Sequence, residues 1–189
     1  MDIVDRAIIF ATKAHSGKLR KGSQLPYIVH PLEAMAIVAT ITSDKELMVA
    51  AALHDVVEDT RYEISEIRQQ FGDRVAYLVD SETSRDIEGV SHVDSWHQRK
   101  QMAIDRLAAA SRDSQIVAMG DKLSNLRAMA INYRQVGEKL WQRFNVKDPA
   151  SHGWYYRQLV KSLSHLSDTD AYQEFVRLVD QVFPADKYR

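Results

Sequence analysis

The sequence predicts an all-α fold of about ten helices, and three observations carry that prediction. Apolar residues recur at three- and four-residue spacing along most of the chain. Seven glycines and four prolines in 189 residues are too few for the frequent turns of a β-sandwich. No repeat, low-complexity run or linker divides the chain. With 45% hydrophobic residues it can bury a full core, so residues 1–189 are expected to form a single domain.

Taken in order, Ile3, Ala7, Ile8 and Ala11 mark a first helix running to about His15. Ser16 to Pro26 is a basic loop with two glycines and a proline, unable to hold regular structure for long. Pro31 suits the first turn of a second helix, whose core side is expected at Leu32, Met35, Ala36, Val38 and Ala39. Ser43 and Glu46 have the spacing of a capping box that starts a central helix, with Leu47, Met48, Ala50, Ala51 and Leu53 as its apolar run. Ile64, Ile67 and Phe71 mark a short helix ended by Gly72, and Val75, Ala76, Leu78 and Val79 mark another. Residues 84–95 read as a surface loop. Helix resumes from Trp96 to Ala110, and Asp113 is expected to cap the next helix, with Ile116, Val117, Leu123, Leu126 and Ala130 inward. Val136, Leu140, Trp141 and Phe144 continue in helical register. After a break over 145–153, Trp154 to Leu166 and Thr169 to Val182 form the last two helices, with Trp154, Tyr155 and Tyr156 read as packing residues.

Composition narrows the function classes. A formal net charge of −1 gives no electrostatic case for a dedicated nucleic-acid binder. The absence of cysteine excludes disulfides, zinc–thiolate sites and cysteine nucleophiles. The acidic start, Met1 to Arg6, lacks the layout of a signal peptide, and no stretch approaches the roughly 20 apolar residues that cross a bilayer. A cytoplasmic setting without membrane contact is expected.

The chemistry concentrates in three stretches. His54-Asp55-Val56-Val57-Glu58-Asp59 closes the apolar run of the central helix. On a continuous helix His54 would stand over Glu58 and Asp55 over Asp59, lining one strip with an imidazole and three carboxylates. His30 sits where the basic loop enters the second helix. Asp121 lies within a helix between Met119 and Leu123, where a carboxylate is unfavourable unless something binds it. Lys122, as its neighbour, points away and is a poor partner. Asn125, one turn on, makes the same face polar twice, which suggests a cavity. His15, His92, His97, His152 and His165 read as surface or capping histidines. Together His30, His54, Asp55 and Asp121 offer two imidazoles and two carboxylates, a nitrogen and oxygen set suited to Mn(II), Fe(II) or Zn(II) more than Ca(II).

The ordered set Arg20-Lys21, Pro26-Tyr27-Ile28-Val29-His30-Pro31, Ala51-Ala52-Leu53-His54-Asp55 with Glu58-Asp59-Thr60, Phe71-Gly72 and Asp121-Lys122-Leu123-Ser124-Asn125-Leu126-Arg127 resembles the HD-domain metal phosphohydrolases. Within them it resembles the (p)ppGpp hydrolase branch of RelA/SpoT-type enzymes and the small alarmone hydrolases. The resemblance covers about residues 3 to 165, with 166–189 expected to pack on that domain as a C-terminal helix. It implies a metal held by His30, His54, Asp55 and Asp121, Mn(II) first among divalent ions, with Glu58 and Asp59 activating or orienting the attacking water. It further implies Arg20 stacking on a purine, Lys21 reaching phosphate and Asn125 contacting the nucleotide. Arg99 and Lys100, on the helix before that of Asp121, read either as an ordinary charged helix face or as a grip on the distal pyrophosphate. The implied reaction hydrolyses the 3′-pyrophosphate of ppGpp or pppGpp. An adenosine alarmone, the 2′-phosphate of NADPH, or a silent nucleotide-binding role are the alternatives. Ala128 stands where related hydrolases often carry a hydroxyl residue, and the spacing from Arg20 to His30 varies in the family. The chain ends too early for the synthetase or regulatory domains of the long enzymes, so a hydrolase-only protein is expected.

Overall fold

Asp2 starts the first helix, α1 (Ile3–Ala14), by accepting the Val4 N–H at 3.1 Å while Asp5 accepts the Asp2 N–H, a reciprocal cap. The structure is a computed structural model, and it describes residues 1–83, 91, 94–185 and 187. Nine more helices follow among the described residues: α2 (Val29–Ile41), α3 (Lys45–Leu53), α4 (Val56–Asp59), α5 (Ile64–Phe71), α6 (Asp73–Glu82), α7 (Trp96–Ala108), α8 (Arg112–Val136), α9 (Pro149–Ser162) and α10 (Asp170–Val182). Among the described residues the sole β pairing is an isolated antiparallel bridge, Leu19 to Pro26. The all-α expectation holds. The loop expected over 84–95 lies largely outside the described residues, as does His92.

The chain divides into two compact units. The first comprises Met1–Thr83 and Ser111–Ser124. Its hub is α3, which packs on α1, α2 and α6. Leu47, Val49, Ala50, Ala51, Ala52 and Leu53 are all buried, so the C-terminal half of this helix is enclosed, while Lys45 at its start is exposed. Burying Leu47 and Leu53 contributes roughly 2 kcal/mol each. The second unit comprises Ser84–Ala110 and Asn125–Arg189, in which α9 packs against α7 and α10. Ala171, Phe175, Val179 and Val182 form the single buried stripe of α10. No described helix is long and apolar enough to cross a membrane.

Several local expectations are corrected. The cap of α3 is Asp44, whose carboxylate accepts the Glu46 N–H at 2.9 Å, and not Ser43. The inward face of α2 is His30, Pro31, Ala34, Ile37 and Val38, while Ala36 and Ala39 are exposed. That helix is apolar nearly all round, so periodicity carries no phase to read. Ser111, not Asp113, begins α8 by accepting the Ser114 N–H at 3.2 Å, and the Asp113 carboxylate instead receives Arg74. Residues Gly137–Arg143 wind as a 3-10 helix, entered at Gly137 with a positive φ of 57°. The helix expected from Trp154 starts at Pro149, because the Asp148 side chain caps the Ala150 and Ser151 N–H groups and proline suits the first helical position.

Candidate metal centre

The strip that closes the central helix is not one continuous helix. The Ala51 carbonyl, the acceptor a continuing helix would present to residue 55, receives His54 Nδ1–H at 2.8 Å. With that side chain competing for the backbone, α3 ends at Leu53, residues 54 and 55 form a turn, and α4 starts afresh at Val56. At that turn His54 is buried and Asp55 half-buried.

Two other helices complete the cluster. His30 enters from the first turn of α2 and Asp121 from the middle of α8. Gly120 permits their approach: a Cβ there would lie 2.6 Å from the Ala34 carbonyl oxygen of α2, inside any tolerable contact. His30 Nε2 consequently lies 3.2 Å from Asp121 Oδ1 and 3.4 Å from Asp55 Oδ2. His54 Nε2 lies 3.0 Å from Asp55 Oδ2 and 3.5 Å from Asp121 Oδ1. His30, His54 and Asp121 each offer one ligand atom, all within 4.8 Å of one another.

These residues fit a divalent cation on chemical grounds. A carbonyl only accepts, so the Ala51 bond places a proton on His54 Nδ1 and leaves Nε2 to face the carboxylates. That nitrogen is buried and has no properly aligned hydrogen-bond partner. A buried imidazole tied to a main-chain carbonyl at one nitrogen and aimed at carboxylates with the other is the arrangement of a metal-ligating histidine. Burial opposes charge on His54, yet Asp55 and Asp121 outweigh it and raise His54 well above the ordinary imidazole range. Burial likewise opposes ionisation of the two acids. His54 nevertheless holds Asp55 below the usual carboxylate range, and Lys122 does the same for Asp121. The cluster thus demands positive charge at its centre, and a cation displaces the proton that otherwise supplies it.

Three neighbours of these ligands escaped the sequence reading. Tyr27 donates its phenol hydrogen to Asp55 Oδ2 at 2.5 Å. Burial and the Asp55 charge push that phenol far above its usual range and keep it a donor. Lys122 contacts Asp121 Oδ2 after all, and its ammonium also lies 3.5 Å from Glu82, whose side chain is 8% exposed. Asp121 Oδ2 is thereby engaged while Oδ1 faces the imidazoles. Tyr27 stands three residues before His30, a spacing that offered a signal. Glu82 offered none. His15 and His152, expected as surface or capping histidines, are buried, and His15 is the C-terminal cap residue of α1.

Glu58 is exposed and Asp59 half-buried on α4, directly after the turn. Lys18 donates to the Asp59 carbonyl and so ties the basic loop to this acidic helix. That loop is a pinned turn, with the Arg20 N–H bonded to the Leu25 carbonyl at 2.9 Å, Arg20 half-buried and Lys21 exposed. Asn125, Arg99 and Lys100 belong to the second unit, where Arg99 Nε donates to Ser95 Oγ at 3.2 Å and the Lys100 ammonium lies 4.6 Å over the Tyr155 ring. Tyr155 and Tyr156 are buried, as their reading as packing residues required.

A family model described as the HD domain matches residues 7–146. The chain is 31% identical over 189 residues to a probable GTP pyrophosphokinase of Mycobacterium leprae, covering 95% of this chain and 23% of that one. It is 33% identical over 129 residues to the guanosine-3′,5′-bis(diphosphate) 3′-pyrophosphohydrolase of Haemophilus influenzae, covering 64% of this chain and 18% of that one. The chain therefore spans less than a quarter of the length of these curated relatives. Among solved structures, a metazoan ortholog of SpoT that hydrolyses ppGpp and plays a role in starvation responses superposes with a TM-score of 0.73 at 22% identity, covering 100% of this chain and 98% of that one. That likeness establishes the fold. A Listeria monocytogenes EGD-e protein gives a TM-score of 0.71 at 28% identity, covering 82% of this chain and 98% of that one.

Proposed function

The chain belongs to the HD-domain family, and from that premise we propose that it hydrolyses the 3′-pyrophosphate of guanosine tetra- and pentaphosphate, yielding GDP or GTP and pyrophosphate. The observation that carries the reading is the convergence of two buried imidazoles and two carboxylates, followed on the next helix by two further acids. A divalent cation held by His30, His54, Asp55 and Asp121 would lower the pKa of a coordinated water and polarise the phosphoryl oxygen under attack. Mn(II) is the proposed ion. Tyr27 and Lys122 hold Asp55 and Asp121 in place by the contacts they make in the structure. Glu58 or Asp59 takes or steers the proton of the attacking water. Arg20 stacks on the purine and Lys21 meets phosphate, roles that a planar guanidinium and a compact ammonium suit. For Asn125, Arg99 and Lys100, contact with the nucleotide rests on the sequence alone. The whole of residues 1–189 is proposed to act as one hydrolase domain on a small nucleotide in the cytoplasm.

The ordered motifs and the name of the Haemophilus relative support the guanosine alarmone. Ala128, where related hydrolases often carry a hydroxyl, favours a second reading: the same chemistry on an adenosine alarmone or the 2′-phosphate of NADPH. Incubation of Mn(II)-loaded protein with ppGpp, pppGpp, pppApp and NADPH, with products resolved by ion exchange, tests both. Release of pyrophosphate with GDP or GTP is the expected result. Free phosphate from NADPH with ppGpp untouched would overturn the substrate. Turnover of none of the four would overturn the enzyme and favour a binding module.

A further inference from the structure

His54 is oriented by a main-chain carbonyl, which no substitution of that residue's partner removes. His30 is oriented differently. Its Nδ1 lies 2.8 Å from Ser124 Oγ, and Ser124 Oγ donates to Glu33 Oε2 at 2.7 Å. Ser124 follows Asp121 by three residues on α8, and Glu33 follows His30 by three residues on α2. Each partner thus shares the face of a ligand on its own helix and reaches across to the opposite one.

The hydrogen count in this chain of contacts is determinate. A seryl hydroxyl has one hydrogen, and an ionised carboxylate can only accept. Ser124 spends its hydrogen on Glu33, so the lone pair of Oγ faces His30, and the proton of that contact resides on His30 Nδ1. A serine inside a helix ordinarily bonds back to a carbonyl one turn earlier. Ser124 is fully buried and directs its hydrogen to a carboxylate on another helix instead.

We propose that Glu33 and Ser124 are positioning residues that keep a proton on His30 Nδ1 and so make Nε2 the nitrogen turned to Asp55 and Asp121. The consequence for metal affinity rests on the metal-centre reading, whereas the tautomer itself does not. Outer partners of this kind are worth about 10- to 100-fold in metal affinity where they have been removed.

The test uses the full chain labelled with 15N-histidine. Long-range proton–nitrogen correlation of the metal-free protein at pH 8 reports which nitrogen of His30 carries the proton, and Mn(II) titration by calorimetry reports affinity. Wild type is expected to show His30 as Nδ1–H. Ser124→Ala should give a tautomer mixture and bind Mn(II) at least about 10-fold more weakly, and Ser124→Thr should restore both. Glu33→Ala should free the hydroxyl to donate towards Nδ1 and shift His30 towards Nε2–H, an effect that a merely structural loss would not produce. An Nε2–H tautomer in wild type, or an unchanged tautomer in both Ser124→Ala and Glu33→Ala, overturns the proposal. If wild type holds His30 as Nδ1–H, responds to these substitutions as described and binds no divalent ion, the positioning role stands and the metal-centre reading fails.

Discussion

His54 and His152 are both buried, and each ties one ring nitrogen to a main-chain carbonyl: Ala51 at 2.8 Å for His54, Val146 at 2.7 Å for His152. Their surroundings pull them in opposite directions. Carboxylates face His54 and raise its affinity for a proton despite burial. Aromatic rings surround His152, with Phe144, Trp96 and Trp141 at centroid distances of 4.8, 5.4 and 5.7 Å, and burial lowers its pKa. The backbone bond sets orientation in both. What faces the second side of the ring decides whether the histidine can hold a cation or serves as a polar piece of core.

The sharpest way to break this contrast is to remove the acid. Asp121→Ala should abolish Mn(II) binding in calorimetry and lower hydrolysis on the order of 1,000-fold or more, since the cation's electrostatic work is worth several kcal/mol. Glu58→Ala separates the acids proposed to hold the cation from the acids proposed to move protons. It should retain Mn(II) affinity while the rate of hydrolysis falls about 100- to 10,000-fold. Full rate in this variant would sink the role proposed for Glu58.

Gly120→Ala attacks the spacing and leaves every proposed ligand unsubstituted. A Cβ 2.6 Å from the Ala34 carbonyl must push α8 from α2. Urea denaturation should show a loss of about 1–3 kcal/mol, with weaker Mn(II) binding because His30 and Asp121 part. An unchanged Mn(II) affinity would mean that the two helices approach for reasons other than the site.

The aromatic side of the contrast titrates with the opposite sign. His152 has its pKa lowered from 6.5, by burial first, with Lys100 adding to the effect. The unfolded chain therefore takes up the proton that the folded chain resists. The stabilisation is complete above pH 6.5 and declines as pH falls towards the folded value, at no more than about 1.4 kcal/mol per pH unit. Denaturation at pH 7.5 and 5.5 should show a shallower decline in His152→Gln, whose amide can still donate to Val146 without titrating. The smallest effect is expected at Arg74, which pairs with Asp44, Glu46 and Asp113 at 2.6–2.8 Å on the surface. There the protein fills an acidic cluster with its own cation, and Arg74→Ala should cost at most about 1 kcal/mol, a loss that shrinks in high salt.

Much of this was legible in the chain itself. The helices showed in apolar spacing wherever one face is polar, as in α10, and failed in phase where the helix is apolar all round, as in α2. The ligand candidates were legible because His54-Asp55 and Asp121 interrupt apolar runs that have no other reason to end or to turn polar. Their partners were not. Lys122 was discounted as a sequence neighbour, yet a four-carbon stem can fold back to Asp121. The burial of His15 and His152 was not legible, because a buried histidine leaves no periodic mark unless the phase of its helix is known.

The sequence by itself determined the class of fold and the kinds of atom available for chemistry, since both follow from local spacing and residue type. Tertiary structure decided which of those atoms meet. The break of the central helix at His54, the approach of α2 and α8 over Gly120, and the return of Lys122 to Asp121 each depend on contacts between segments far apart in the chain or on a side chain's full reach. The physical reason is that a carboxylate or an imidazole acquires its role from the charges and dipoles within a few ångströms of it, and only packing brings those neighbours there.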